Sequence, residues 1–386
     1  MNNRILTSRR TLVNFQPSRL SQARLAKKWN MSDLAERVGL TRQAISAYEM
    51  GQNSPSPENL RSLAKALDVP ETFLTLPFYK EEEKRQSAVN FRTLASSTAR
   101  DRDQANVYIT WLCGFTSFLS TYVELPPVNL PAFDISDFTR LQNYEIEEFA
   151  QNTRRFFGLG DGPISNLTTL LENNGVVTSR LPLAPGMDGF STWFSNKPFI
   201  CISDSANYFR SRFDLAHELA HLLLHPALTQ EDLERDKQML KLVEDQAHRF
   251  AGAFLLPEKT FATEIYALDL AELISLKKRW GVSIQAILMR LAALNIISES
   301  QKTRLFVRLS SQGMRRKEPL DRDYAAERGK LFDHVAEFLN SKNILMSGEF
   351  VLRSRFPTAF AQCLVSMQES SHKIPENVIP FKSKSV

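Results

Sequence analysis

The sequence predicts a mainly α-helical chain with a small β-sheet, an α+β fold. Three observations carry that expectation. Residues 18–76 break into short apolar-faced runs punctuated by capping residues and glycines. Two longer runs, 211–225 and 231–256, read as helices, the first apolar on nearly every side apart from its His and Glu residues. A β-rich stretch, Phe190–Ser203, sets FSTWFS and FICIS on either side of Asn196-Lys197-Pro198, as hairpin or adjacent strands. At 386 residues, 43% hydrophobic and 24% charged, the chain has length for two or three domains and too much apolar content for wholesale disorder.

Composition excludes several classes. Cys113, Cys201 and Cys363 lie far apart and form no CxxC pair, which argues against a disulfide framework or a Cys-based zinc site and suits a reducing cytosol. The first fifteen residues hold no apolar run of signal-peptide length. Gln104–Val123 is free of charge, but Thr110, Ser117, Ser120 and Thr121 interrupt it. Tyr108, Trp111, Phe115, Phe118 and Tyr122 recur at spacings of three and four, the pattern of an amphipathic helix for a core or dimer interface rather than a membrane span. The net charge of +5 is unevenly placed: residues 1–78 carry eleven Lys/Arg against six Asp/Glu, and the rest is balanced. A basic module on a neutral body suits a polyanion partner for the first part.

Within residues 1–78, Ser18 can cap a first helix, and Asn30 and Asp33 form a variant capping box for a second, which Gly39 stops. Thr41 caps a third, Arg42 to Met50, with Ala44, Ile45 and Tyr48 facing inward, and a fourth follows Ser56-Pro57. Two such helices joined by a tight Gly-containing turn form a helix-turn-helix, whose second helix reads base edges from its exposed N-terminal residues. Here those are Arg42, Gln43 and Ser46, with Lys27, Lys28 and Asn53 as phosphate contacts. The string LAERVGLTRQAISAYEMGQNSPSPENLRSLAKALDV, with its Tyr48-Glu49-x-Gly51 step, resembles the Xre or lambda-repressor class. That resemblance implies a lambda-repressor-like bundle binding double-stranded DNA as a homodimer on a palindromic operator. Met31 departs from it, standing where the class often has a phosphate-binding Gln.

Residues 79–135 read as a charged linker followed by the aromatic helix, with Pro126, Pro127 and Pro131 marking a boundary. Residues 136–300 form the next unit. It contains His217-Glu218-Leu219-Ala220-His221, an HExxH sequence on the helix for which Ser211–Asp214 offers a capping box. One helical turn separates the two imidazoles, so both can reach one ion, and Glu218 projects beside it as a general base. His225 continues the series but lies about 12 Å along the axis from His217, so it is read as a supporting residue or a helix-end cation. Glu244, His248 and Asp245 compete as third ligand. Glu244 leads because it falls within an apolar face where an unpaired carboxylate would be expensive. His248 and Tyr208 are open as transition-state groups.

RFDLAHELAHLLLH followed by EDQAHRFAGAFLLP resembles the ImmA/IrrE family of zinc metallopeptidases. The resemblance implies a zincin-like domain, Zn2+ as cofactor, Glu244 as the third ligand and, near the metal, an edge strand that holds substrate by strand addition. His248 stands where the family often has Asn. It further implies a cytoplasmic, nucleoid-associated regulator that cleaves a repressor or antitoxin partner, or itself within the linker, on stress, phage or mobile-element signals. The alternative is a ligand- or partner-sensing transcription factor, or an antitoxin, whose peptidase-like body cleaves nothing. Residues 301–386 read as a helical C-terminal region, a candidate sensor, with a basic solvated turn at 313–319 and a mobile tail.

Overall fold

The computed structural model describes residues 14–78, 98–228, 232 and 236–365, together with strands at Asn90–Phe91 and Lys382–Ser383. The rest of the segment 79–97 and most of the tail lie outside the described residues.

Four helices open the chain: α1 (Pro17–Ala26), α2 (Met31–Val38), α3 (Arg42–Glu49) and α4 (Pro57–Leu67). Asn30 and Asp33 exchange both capping-box bonds, Thr41 Oγ1 accepts from Ala44 N, and Ser56 Oγ accepts from Asn59 N. Caps of this kind contribute about 1 kcal/mol each. Gly39 ends α2 at φ 67°, a left-handed conformation that glycine adopts without a Cβ clash. The first helix starts one residue before Ser18, at Pro17, because proline at the first helical position gives up only an N–H that has no intrahelical partner. Glu49 forms a bidentate pair with Arg24 at 2.6 and 2.7 Å and so ties α3 to α1. Tyr48 Oη accepts from Asn59 Nδ2 at 3.2 Å and ties α3 to α4.

The aromatic run forms α5 (Ala99–Leu119), with Trp111, Phe115 and Phe118 buried inside this chain. After β2 (Val123–Glu124) come α6 (Asn143–Phe156) and α7 (Leu167–Asn173). The strands β3 (Val177–Leu181), β4 (Gly189–Phe194) and β5 (Lys197–Ser203) follow. Then α8 (Tyr208–Leu224), α9 (Lys237–Leu255), α10 (Glu258–Phe261), α11 (Leu270–Trp280), α12 (Ile284–Ala293) and α13 (Glu299–Ser311) complete the central body. The C-terminal helices are α14 (Leu331–Ser341), α15 (Ser347–Ser354) and α16 (Thr358–Leu364).

With β1 (Asn90–Phe91), the sheet order is β1-β4-β5-β3; β3 and β5 run parallel and the other pairs antiparallel. Ser195 and Asn196 turn the β4–β5 hairpin at φ 45° and 62°, the positive values a two-residue hairpin turn of this hand requires. Alternation along the strands makes the sheet a wall between two cores. Phe190, Phe194, Phe199 and Cys201 face one core, shared with α1–α5 and α14–α16. Ile200 and Ile202 face the other, shared with α6–α9 and α11–α13. Phe115 on α5 meets Phe332, Phe350 and Phe356 at ring separations of 5.6, 5.7 and 5.9 Å, which binds the C-terminal region to α5.

Two local expectations change. The HExxH helix starts a turn earlier than Ser211, because Asn207 caps it by accepting from Arg210 N. The turn at 313–319 is not wholly solvated: Glu318 is buried and accepts from Lys277 Nζ at 2.8 Å and from the Ile284 amide, and Asp321 joins the same ammonium at 2.5 Å. A buried ammonium demands such partners. A strand β6 (Lys382–Ser383) pairs antiparallel with β2, and the rest of the tail expected to be mobile lies outside the described residues.

Candidate metal centre

The centre is built from α8 and α9, packed side by side. His217, Glu218 and His221 come from α8 and are at most 1% exposed; Glu244 and His248 come from α9 and are half-buried. His217 Nε2 and His221 Nε2 lie 3.0 Å apart. Glu244 Oε2 lies 3.3 Å from the first and Oε1 3.5 Å from the second. Ligand atoms of these three residues therefore fall within 4.8 Å of one another. Asp245, the remaining competitor on α9, is exposed and outside the cluster.

The hydrogen bonds around His221 set its tautomer. Gln246 Nε2 donates to Phe138 O at 2.7 Å, so Gln246 Oε1 faces His225 Nε2 at 2.8 Å and accepts from it. Burial first, then the neighbouring His221, lowers the His225 pKa to about 3, so this ring is neutral and its Nδ1 carries a lone pair. His221 Nδ1, 3.2 Å away, is then the donor to it. That leaves the lone pair of His221 Nε2 directed at His217 and Glu244, the form in which an imidazole ligates. Sequence spacing makes His225 a supporting residue, and it is Gln246, absent from that reading, that completes the relay. His217 is pushed well below its ordinary pKa, chiefly by burial, against an opposing hydrogen bond with Glu244. Burial alone would raise the Glu244 carboxyl, but the His217 and His221 rings beside it hold it well below the usual carboxylate range. Two imidazoles and one carboxylate converging in a buried place are the donor set of an open three-ligand zinc site, so these residues fit the ion that the motif implies.

Glu218 is oriented by the sheet. Ser191 Oγ on β4 donates to Glu218 Oε2 at 2.7 Å. The approach is close because residue 189 is glycine: a Cβ there would lie 2.9 Å from Cys201 O and 3.5 Å from Glu218 Cγ. His248 Nδ1 lies 2.7 Å from Glu244 O, and its ring sits edge-on to that of His217 at 4.6 Å. Tyr208 is elsewhere. It lies nine residues before His217 on the same helix, about 13 Å along the axis, and stacks on Tyr324 at 5.4 Å. The structure therefore does not bring Tyr208 to the centre, and His248 is the remaining candidate from that pair.

On the N-terminal bundle, Arg42, Gln43, Asn53 and Lys27 are exposed and Ser46 is half-exposed. Lys28 is already engaged: its Nζ pairs with Asp101 at 2.7 Å, and that contact, ahead of a Thr98 hydrogen bond, lowers the Asp101 pKa to about 2. This ammonium joins the bundle to α5.

Comparison with known proteins agrees with this layout. Residues 20–74 match a helix-turn-helix family model, and residues 171–292 match a peptidase family model described as the IrrE N-terminal-like domain. The chain thus joins a region similar to Xre-like helix-turn-helix domains to a region similar to ImmA/IrrE-type peptidase domains. Among solved structures it is similar to a Mycobacterium tuberculosis transcriptional regulator, at 20% identity and a TM-score of 0.30, over 40% of this chain and 50% of that one. The chain thus spans half the length of that protein. No curated protein matches.

Proposed function

We propose that the protein is a cytoplasmic, nucleoid-associated DNA-binding regulator with an integral zinc-dependent endopeptidase, and that its substrate is a repressor or antitoxin partner or the chain itself. The observation that carries this reading is the convergence of His217, His221 and Glu244 in a buried site beside an oriented Glu218. His217 Nε2, His221 Nε2 and the Glu244 carboxylate would hold the ion, which when bound supplies Lewis acidity. Glu218 takes a proton at its carboxylate from the attacking water and passes it to the leaving amine, while Ser191 keeps that carboxylate in place. His248, against the His217 ring, is positioned to donate to developing negative charge. Arg42, Gln43 and Ser46 would read bases, and a homodimer would match a two-fold operator. Among the described residues no helix is long and apolar enough to cross a membrane.

A second reading, a sensing module that cleaves nothing, is favoured by one feature: the DNA-binding bundle shares a core with the sheet that orients Glu218, so occupancy alone could be felt by α1–α4. Comparing the proteome of cells carrying wild type or Glu218→Gln after stress separates the two. Cleavage of a specific protein with wild type only supports the peptidase, and identical proteomes with altered transcription support the sensor.

A further inference from the structure

A cleft of about 130 Å³ opens where three parts of the chain meet. Ala26 and Leu67 line it from the ends of α1 and α4, Tyr108 and Trp111 from α5, and Phe360 and Cys363 from α16. The Tyr108 and Phe360 rings lie within 22° of parallel with centroids 6.1 Å apart, and Trp111 meets Phe360 edge-on at 5.3 Å. The polar atom of the indole is already satisfied, since Trp111 Nε1 donates to Gln22 Oε1 at 3.1 Å. Among the described lining residues the charged ones are Lys27 and Asp68. Both are exposed, and their side chains face each other at 3.6 Å.

We propose that this cleft is a binding site for a small uncharged aromatic molecule of one or two rings. Its size sets the first limit: an apolar cavity of about 150 Å³ takes up benzene, and here the opening past the exposed Lys27, Asp68 and Cys363 leaves room for a second ring to reach out. The lining sets the shape, because aromatic side chains favour a flat guest that meets them offset or edge-on. Charge sets the chemistry. Lys27 and Asp68 offset each other, so no unbalanced charge waits for a counter-ion. An ionised group placed among the rings would lose its water without gaining a partner. The lining joins the N-terminal bundle to the C-terminal helices, so an occupant touches both and opposes their separation. The site goes beyond the peptidase reading and does not depend on it, since none of His217, Glu218, His221 and Glu244 lines the cleft.

The test titrates indole into the full-length protein by isothermal calorimetry, with a single site of Kd about 0.1 mM expected for a ligand of this size. Indoleacetate, which adds a charge to the same rings, should bind at least about tenfold more weakly. Ala359 lines the cleft from an exposed position on α16, so Ala359→Trp fills it with little cost to the fold. This variant, shown to be folded by circular dichroism, should also bind indole at least about tenfold more weakly. A second readout needs no variant. Cys363 is exposed at the cleft while Cys113 and Cys201 are buried, so its alkylation by iodoacetamide, followed by mass spectrometry, reports occupancy. Indole at about 1 mM should slow that reaction by about tenfold. Absence of saturable binding at millimolar indole, equal affinity for indoleacetate, unchanged affinity in Ala359→Trp, or a Cys363 rate indifferent to indole would overturn the proposal. Metal content and cleavage do not enter these measurements, so they leave the peptidase reading to its own test.

Discussion

Ser191 Oγ donates to Glu218 Oε2 at 2.7 Å across 27 residues of chain, and this bond fixes the general-base candidate of α8 to the sheet. Both residues are buried, at 0% and 1% exposure. Hydrogen bonds to buried charged groups are worth about 1.5–3 kcal/mol, so Ser191→Ala should lower stability by that order in urea denaturation. A variant within about 0.5 kcal/mol of wild type would show that the bond contributes nothing.

The relay from Phe138 through Gln246 and His225 orients His221. Gln246→Ala removes its anchor and should weaken zinc affinity about 10–100-fold in competition with a chromophoric chelator. An unchanged affinity would mean that His221 needs no help from His225.

How far these features were legible in the sequence depends on their range. The caps at Asn30, Thr41 and Ser56 act over three residues, and the string shows them directly. The His217–His221 spacing is likewise local, and Glu244 was legible because a carboxylate on an apolar helix face demands a partner. Contacts that join distant segments were not legible. Lys277 with Glu318 and Asp321, Arg212 with Glu327, and Ser191 with Glu218 each depend on the tertiary fold, and none has a motif. Nothing local announces the bond between Lys28 and Asp101, 73 residues later, either.

Glu172 provides a pH test away from the centre. Its carboxyl is buried at the end of α7, where it accepts from Thr178 Oγ1 at 2.7 Å and from the amides of Lys330 and Leu331 at 2.9 and 3.1 Å. Burial outweighs these donors and raises its pKa from 4.5 to about 7. The folded protein then binds this proton more tightly than the unfolded chain does. Stability from this group is full below about 4.5 and falls as pH rises to about 7, by on the order of 3 kcal/mol. Relative to Glu172→Gln, wild type should lose stability across that interval in chemical denaturation at stepped pH. Parallel curves would refute the assignment.

Arg42 stands exposed on the first turn of α3, beside Gln43. On a duplex selected by the wild-type protein from a random pool, Arg42→Ala should cost about 1–3 kcal/mol of binding and relax preference at one base pair. A loss that is equal on all sequences would make Arg42 a backbone contact instead.

The most direct test of the central claim is the zinc content of purified full-length protein after dialysis against buffered trace zinc, measured by atomic emission. The arrangement of His217, His221 and Glu244 predicts about one ion per wild-type chain and near none for a folded Glu244→Ala variant. Wild-type protein that takes up no zinc, or a variant that retains it fully, would contradict the account.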